Sequence, residues 1–244
     1  MIFESITDIG KVRTKNQDAY AVLNNQKGDF LAFVCDGIGG NKAGEVASFE
    51  TMNYFKENFF LNNGFNNLED AKIYLQFHLK QVNHHILELA KNNEDYEGMG
   101  TTISGILFTS FGNLLFNIGD SRCYGYNNEL IQMSEDDSFV AELYRCGKIS
   151  YEETLTHPKR HYLTKAIGIY EPLEVKVTKV NKYPLYLICT DGLHGYVSKE
   201  HISRILKETK PLKDKANNLK DAALLTGGYD NITFILAEDE SWQN

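Results

Sequence analysis

The chain has 244 residues, 42% of them hydrophobic and 24% charged, and no Pro-, Gly- or Ser-rich linker divides it, so one domain spanning residues 1–244 is expected. Its formal net charge of −8 excludes the basic footprint of a general nucleic-acid binder. The opening stretch "MIFESITDIGKVRTKNQD" carries early acidic residues and no long apolar run, so it reads as neither signal peptide nor membrane anchor. Cys35, Cys123, Cys146 and Cys189 lie far apart with no CxxC pair, which points to reduced thiols and a cytoplasmic location.

In chain order, Ile2 to Asp8, Ala19 to Leu23 and Phe30 to Cys35 read as strands of an antiparallel opening sheet, with turn-forming stretches such as "NNQKGD" between them. Two amphipathic helices follow, one with Val46, Phe49, Met52, Phe55 and Phe59 on its apolar face, the other with Leu75, Leu79, Val82, Ile86 and Leu89. Strands return in "TTISGILFT", "NLLFNIG" and "CYGYNNELIQM" as a second meander, the "NN" suiting a tight turn. Next, "DSFVAELYRCGKISYEETL" has helical composition and "HPKRHYLTKAIG" is a polar excursion. The strands "LEVKVTKV" and "PLYLICT", helices at Lys199 to Glu208 and Asp214 to Leu225, and a last strand complete the chain, ahead of the polar tail "AEDESWQN". Strand meanders and helix pairs come in blocks without βαβ alternation. The fold class expected is therefore α+β, a four-layer αββα sandwich of two antiparallel sheets flanked by helix pairs.

The chemistry is concentrated at strand ends. In "FLAFVCDGIGG" a buried strand runs without a polar break into Asp36 and then Gly37; "YLICTDGLHGY" repeats the design with Asp191 and Gly192; "GGYDNITFILAE" reverses it with Asp230 and Asn231. Each pair alone is explained equally well by a turn. If the three ends meet, however, like charges a few ångströms apart repel by at least about 1 kcal/mol even in water, and a cation is required. Mg²⁺ and Mn²⁺ take such oxygen ligands, and a glycine after the carboxylate permits close approach. Asp120 in "NIGDSRCYGY" and Asp18 in "KNQDAY" extend the pattern, and Arg13 offers a fork of donors matched to phosphate.

The series "DIGKVRTKNQDAY", "VCDGIGGNKAGEVAS", "GMGTTI", "NIGDSRCYGY", "LTKAIG", "ICTDGLHGYV" and "GGYDNITFIL", in this order from about Thr7 to Leu236, resembles the metal-dependent PPM (type 2C) protein serine/threonine phosphatases of the bacterial branch. The resemblance implies an αββα sandwich with two Mn²⁺ or Mg²⁺ ions, and a weaker third, at one end of the paired sheets. By position, Asp36 matches the carboxylate bridging both metals and Gly37 the residue whose carbonyl binds one. Asp191 and Asp230 match the other carboxylate ligands, Asp18 an outer acidic residue acting on water, Asp120 a third-metal ligand, and Arg13 the arginine that holds the substrate phosphate. Asn231 matches a residue that orients its neighbours.

The activity implied is hydrolysis of phosphoserine and phosphothreonine in proteins by a water shared between the metals, with no phosphoenzyme, by a cytoplasmic monomer that opposes bacterial-type Ser/Thr kinases. Phosphoproteins, a Ser/Thr kinase among them, are the partners expected; nucleic acid and membrane are not. The alternative is a pseudophosphatase that only binds phosphoproteins, but decay would usually remove one of Asp36, Asp191 or Asp230, and all are present. A two-metal nuclease would need a basic groove. Ile38 stands where many eukaryotic members have a histidine that serves as general acid, with His194 as a candidate substitute, and Asp137 where bacterial relatives commonly have histidine. Phe139 to Gly168 resembles the family's flap, and its stripe His157, Lys159, Arg160 and His161 suits an acidic phosphopeptide.

Overall fold

Alternation within the apolar runs decides the architecture. In the computed structural model, which describes residues 1–38 and 43–242, strand β3 (Phe30–Ile38) turns Leu31, Phe33 and Cys35 toward one core and Ala32 and Val34 toward another. Strand β10 (Leu185–Cys189) does the same with Leu187 and Cys189 against Tyr186 and Ile188. A strand with both faces buried reads as an unbroken apolar run, because the side-chain period of two places every second residue in a different core.

Two antiparallel sheets result. One has the order β2 (Asp18–Asn24), β3, β5 (Ile103–Thr109), β6 (Gly112–Ile118), β9 (Val177–Val180), with β4 (Gly100–Thr101) also on β3. The other has the order β1 (Ile2–Asp8), β11 (Ile232–Glu238), β10, β7 (Arg122–Tyr126), β8 (Leu130–Gln132). Helices α1 (Gly44–Phe60) and α2 (Leu68–Lys91) cover the outer face of the first sheet; α6 (Lys199–Lys207) and α7 (Leu212–Leu225) cover the second. The inner faces meet through Ala32, Val34, Ile106, Phe108 and Leu115 on one side and Cys123, Tyr186, Ile188, Ile235 and Ala237 on the other. This is the expected αββα sandwich.

Several local expectations need correction. The three opening strands do not share a sheet, because β1 pairs along its whole length with β11 while β2 and β3 pair with each other. The second meander also divides: β5–β6 lies in one sheet and β7–β8 in the other, the chain crossing at Asp120 and Ser121. "TTISGILFT" is two strands, since the Thr102 amide donates to the Asp36 carbonyl at 2.9 Å. "LEVKVTKV" is strand only in its last four residues, those that pair with Asn113–Phe116. On α1, Phe49 is 54% exposed while Phe55 and Phe59 are fully buried, Ala47, Ser48 and Thr51 completing the inner face. The face on α2 is as predicted, Leu75, Leu79, Val82 and Ile86 being buried and Leu89 packed at its edge.

The flap region holds two short helices, α3 (Phe139–Arg145) and α4 (Tyr151–Thr156). Gly147, at a φ of +66°, breaks the helical run between them, and Ser150 with Glu153 forms a capping box that restarts it. Gly39 and Gly40 of the "DGIGG" motif lie outside the described residues. Among those described, no helix is long and apolar enough to cross a membrane.

Phe55 packs its ring 5.4 Å from that of Phe33 in the helix-facing core. Phe55→Ala is expected to destabilise by about 3–5 kcal/mol and Phe49→Ala by less than about 0.5 kcal/mol, measured by urea unfolding. Similar costs at the two positions would contradict the assigned face of α1.

Candidate active site

Strand register brings the carboxylates to one end of both sheets. Asp18 opens β2 directly opposite Asp36 near the end of β3. In the second sheet Cys189 pairs with both Arg122 and Phe234, so the residues beyond them at that end include Asp191, Asp120 and Asp230. Asp191 opens a four-residue helix, α5 (Asp191–His194). The five predicted carboxylates and Arg13 therefore come together, each from a different segment.

Buried polar contacts fix these segments. Both backbone groups of Asp36 are tied to the "TT" pair: its amide donates to Thr102 Oγ1 at 2.9 Å, and its carbonyl accepts from Thr101 Oγ1 at 2.9 Å. Thr102 Oγ1 lies 2.7 Å from Ser121 Oγ, joining the Asp36 strand to the loop that carries Asp120. Thr190 Oγ1 donates to Asp18 Oδ2 at 2.9 Å across the gap between the sheets. Asn231 accepts from the Gln17 amide at 2.8 Å and donates to the carbonyls of Ile9 (2.9 Å) and Lys15 (3.0 Å), so it clamps the loop bearing Arg13.

The glycines act by close approach. A Cβ on Gly192 would stand 1.8 Å from the Asn231 carbonyl oxygen, and one on Gly37 would stand 2.2 Å from that of Gly44 and 2.6 Å from that of Gln17. Neither site tolerates a side chain.

Burial dominates the electrostatics. It raises Asp36 and Asp120 well above the usual carboxylate range, and the charges of Asp18 and Asp191 on Asp36, and of Asp191 and Asp136 on Asp120, add to the rise. Burial also brings Asp18 to about 7, despite hydrogen bonds from Thr233 and Thr190, and Asp191 to about 6. Arg13 Nη2 donates to Asp230 Oδ2 at 2.8 Å, and the charges of Asp36 and Asp191 also reach this guanidinium. Asp191 shares a hydrogen bond with the Asp36 carboxyl; its Oδ1 is buried and receives no N–H or hydroxyl donor among the described residues, and its Oδ2 lies 4.0 Å from His161 Nδ1.

This donor set suits a hard divalent cation: its ligands are oxygens, they are short of positive charge, and one buried oxygen is orphaned. No three described Asp, Glu, His or Cys side chains close on a common point.

The remaining sequence candidates sort differently. His194 is half-buried with its Nε2 3.0 Å from the Asp120 carbonyl, a contact that braces the two aspartate segments. Asp137 accepts from the Gly119 amide at 3.3 Å and its own amide donates to the Gly119 carbonyl at 2.8 Å, holding the residue before Asp120. The flap stripe splits. Lys159 lies over the rings of Phe139 (5.3 Å) and Tyr162 (5.7 Å), and His157 packs on Phe139, while Arg160 and His161 face the cavity beside Asp191. Sequence reasoning missed Thr102, Ser121, Thr190 and Thr233 as supports, although "TT" and "CTDG" adjoin the motifs that carry the carboxylates.

The Protein phosphatase 2C family model matches residues 11–226. The serine/threonine phosphatase stp of Listeria welshimeri is 34% identical over 235 residues, 95% of this chain and 93% of the relative. Protein phosphatase PhpP of Streptococcus pneumoniae is 30% identical over 234 residues, 95% and 94% of the two chains. Among solved structures, serine/threonine phosphatase Stp1 from Staphylococcus aureus superposes with a TM-score of 0.93 at 36% identity, covering 98% of this chain and 94% of that one. The Mycobacterium tuberculosis phosphatase PstP/Ppp does so with a TM-score of 0.85 at 33% identity, covering 97% of each. With seven ordered motifs, the same layered sheets and matches running nearly end to end, the chain belongs to the protein phosphatase 2C family.

Proposed function

We propose that the chain, acting as one catalytic domain, hydrolyses phosphoserine and phosphothreonine esters in proteins with two Mn²⁺ or Mg²⁺ ions, and so opposes Ser/Thr kinases in the cytoplasm. One observation carries the reading: five partly buried carboxylates from separate segments at the ends of both sheets converge beside Arg13. The names of the Listeria and Streptococcus relatives support it.

In this reading Asp36, Asp191 and Asp230, with the Gly37 carbonyl, would hold the two ions, and Asp120 would hold a weaker third; when bound, the ions would supply Lewis acidity toward water and positive charge to offset the phosphate. Asp18, hydrogen-bonded by Thr190, takes up a proton from the attacking water. Arg13 orients the phosphate: only its Nη2 is engaged by Asp230, and the guanidinium carries further N–H donors. No cysteine is needed as nucleophile, and Cys35, Cys123 and Cys189 are buried.

Asp18 and Asp191 titrate higher in the folded chain than their unfolded value of about 4. Their contribution to stability is therefore complete below about pH 4 and is lost as pH rises through about 6 to about 7. In chelator the melting temperature should fall from about pH 5 to about pH 8, and Mn²⁺ at about one hundred times its Kd should restore about 2.7 kcal/mol at the upper end. A flat profile with no response to Mn²⁺ would count against an ion site.

Asp36→Asn should lower kcat on a phosphothreonine peptide by at least about a hundredfold, while its melting temperature in chelator equals or exceeds that of the parent. Arg13→Ala should raise KM by about tenfold to a hundredfold. Mn²⁺-dependent turnover retained in Asp36→Asn would remove that residue from the site.

A further inference from the structure

A groove of about 800 Å³ opens beside the carboxylates, large enough for several side chains of a bound peptide. Asp120 and Asp191 belong to its wall, so it is continuous with the candidate active site. Its flap side is formed by Val140, Tyr144, Tyr151 and Leu155, and Tyr196 stands among the residues of its other side.

The flap side of this groove is apolar and aromatic, and the rest of its lining is polar and charged, with Asp120, Arg122, Asp136 and Asp191 among it. Tyr144, Tyr151 and Leu155 are 49%, 50% and 57% exposed, an unusual share of apolar surface for two short helices. They remain this exposed although the Tyr144 and Tyr151 rings already meet edge to face at 6.1 Å. Tyr196 is held by the Tyr229 ring at 5.7 Å.

The positive charge in the lining is offset. Arg122 makes a bidentate pair with Asp136 (Nη2 to Oδ2 2.7 Å, Nε to Oδ1 3.0 Å), and Arg145 and Arg160 share the lining with the carboxylates Asp120, Glu135 and Asp191. Lys159, over the rings of Phe139 and Tyr162, is not part of the lining. An acidic peptide would therefore meet no excess of positive charge along the groove.

We infer that this groove is a specificity subsite that receives a large apolar or aromatic side chain one or two residues from the phosphorylated residue of a protein substrate. The inference rests on the phosphatase reading above. Consecutive Cα atoms are 3.8 Å apart, so a chain whose phosphate lies beside Asp191 and Arg13 must place its next residues along a wall that includes Asp191. The side chain gains apolar surface burial against rings that are already ordered, which keeps the entropic cost of binding low.

The test uses phosphothreonine peptides identical except for Phe, Leu, Ala or Asp at each of the two positions on either side of the phosphoresidue. At one of these positions the full chain in Mn²⁺ should favour Phe and Leu over Ala by about tenfold in kcat/KM, mainly through KM. In the variant Tyr144→Ser, Leu155→Ser that ratio should fall toward one. Phe60→Ser, an exposed aromatic at the end of helix α1 away from Gly44, should leave it unchanged. Equal rates across the series, a preference for Asp, or a Phe preference that survives the double variant would overturn the subsite. If neither aryl phosphate nor phosphopeptide is hydrolysed, the phosphatase reading fails separately. The groove is then judged by equilibrium binding of nonhydrolysable phosphonate peptides, where equal affinity for Phe and Ala versions overturns it and a tenfold difference lost in the double variant supports it.

Discussion

The structure is organised around the cost of burying like charges together. Asp18, Asp36, Asp120 and Asp191 are driven upward in pKa first by burial, and each is pushed further by a neighbouring carboxylate. Such a cluster persists only where the backbone is over-determined, and here it is. The Asp36 peptide groups are bonded to Thr101 and Thr102, the Arg13 loop is clamped by Asn231, and Gly37 and Gly192 permit approaches that no other residue allows. Folding energy from three apolar cores is thus spent on holding repulsive groups in register, an arrangement typical of functional sites.

Much of this was legible in the sequence for a physical reason. An apolar strand ending in a carboxylate and a glycine is a local pattern, and three such patterns imply a common end once the strands are assumed to share a core. The helix-facing stripe of α2 was equally legible, because Leu75, Leu79, Val82 and Ile86 repeat at helical spacing. Phe49 misled because hydrophobicity alone does not say which side of α1 the small residues Ala47, Ser48 and Thr51 will claim; those pack closest to the sheet and rotate Phe49 outward.

Sheet membership was not legible. Ile2–Asp8 reads like its neighbours, yet it pairs with residues 232–238, a partner more than two hundred positions away. Nor was the division of the flap stripe, since the pattern "HPKRH" gives no hint that Lys159 turns onto Phe139 and Tyr162 while His161 turns toward Asp191. The hydroxyls at Thr102, Ser121 and Thr190 escaped notice because a threonine in a strand is ordinary until its partner is known.

The hydrogen bond Thr190 to Asp18 joins segments at the ends of the two sheets, and Thr102 to Ser121 ties the first sheet to the loop that crosses to the second. The carboxylate cluster is consequently a gauge of how the two sheets sit on one another. Tyr186, fully buried between them with its hydroxyl bonded to Asn113 at 2.7 Å, helps set that spacing at the opposite end of β10 from Asp191. A change in the filling between the sheets is thereby transmitted to the separation of Asp18 from Asp191, and substitutions remote from the site can alter its geometry without touching a carboxylate.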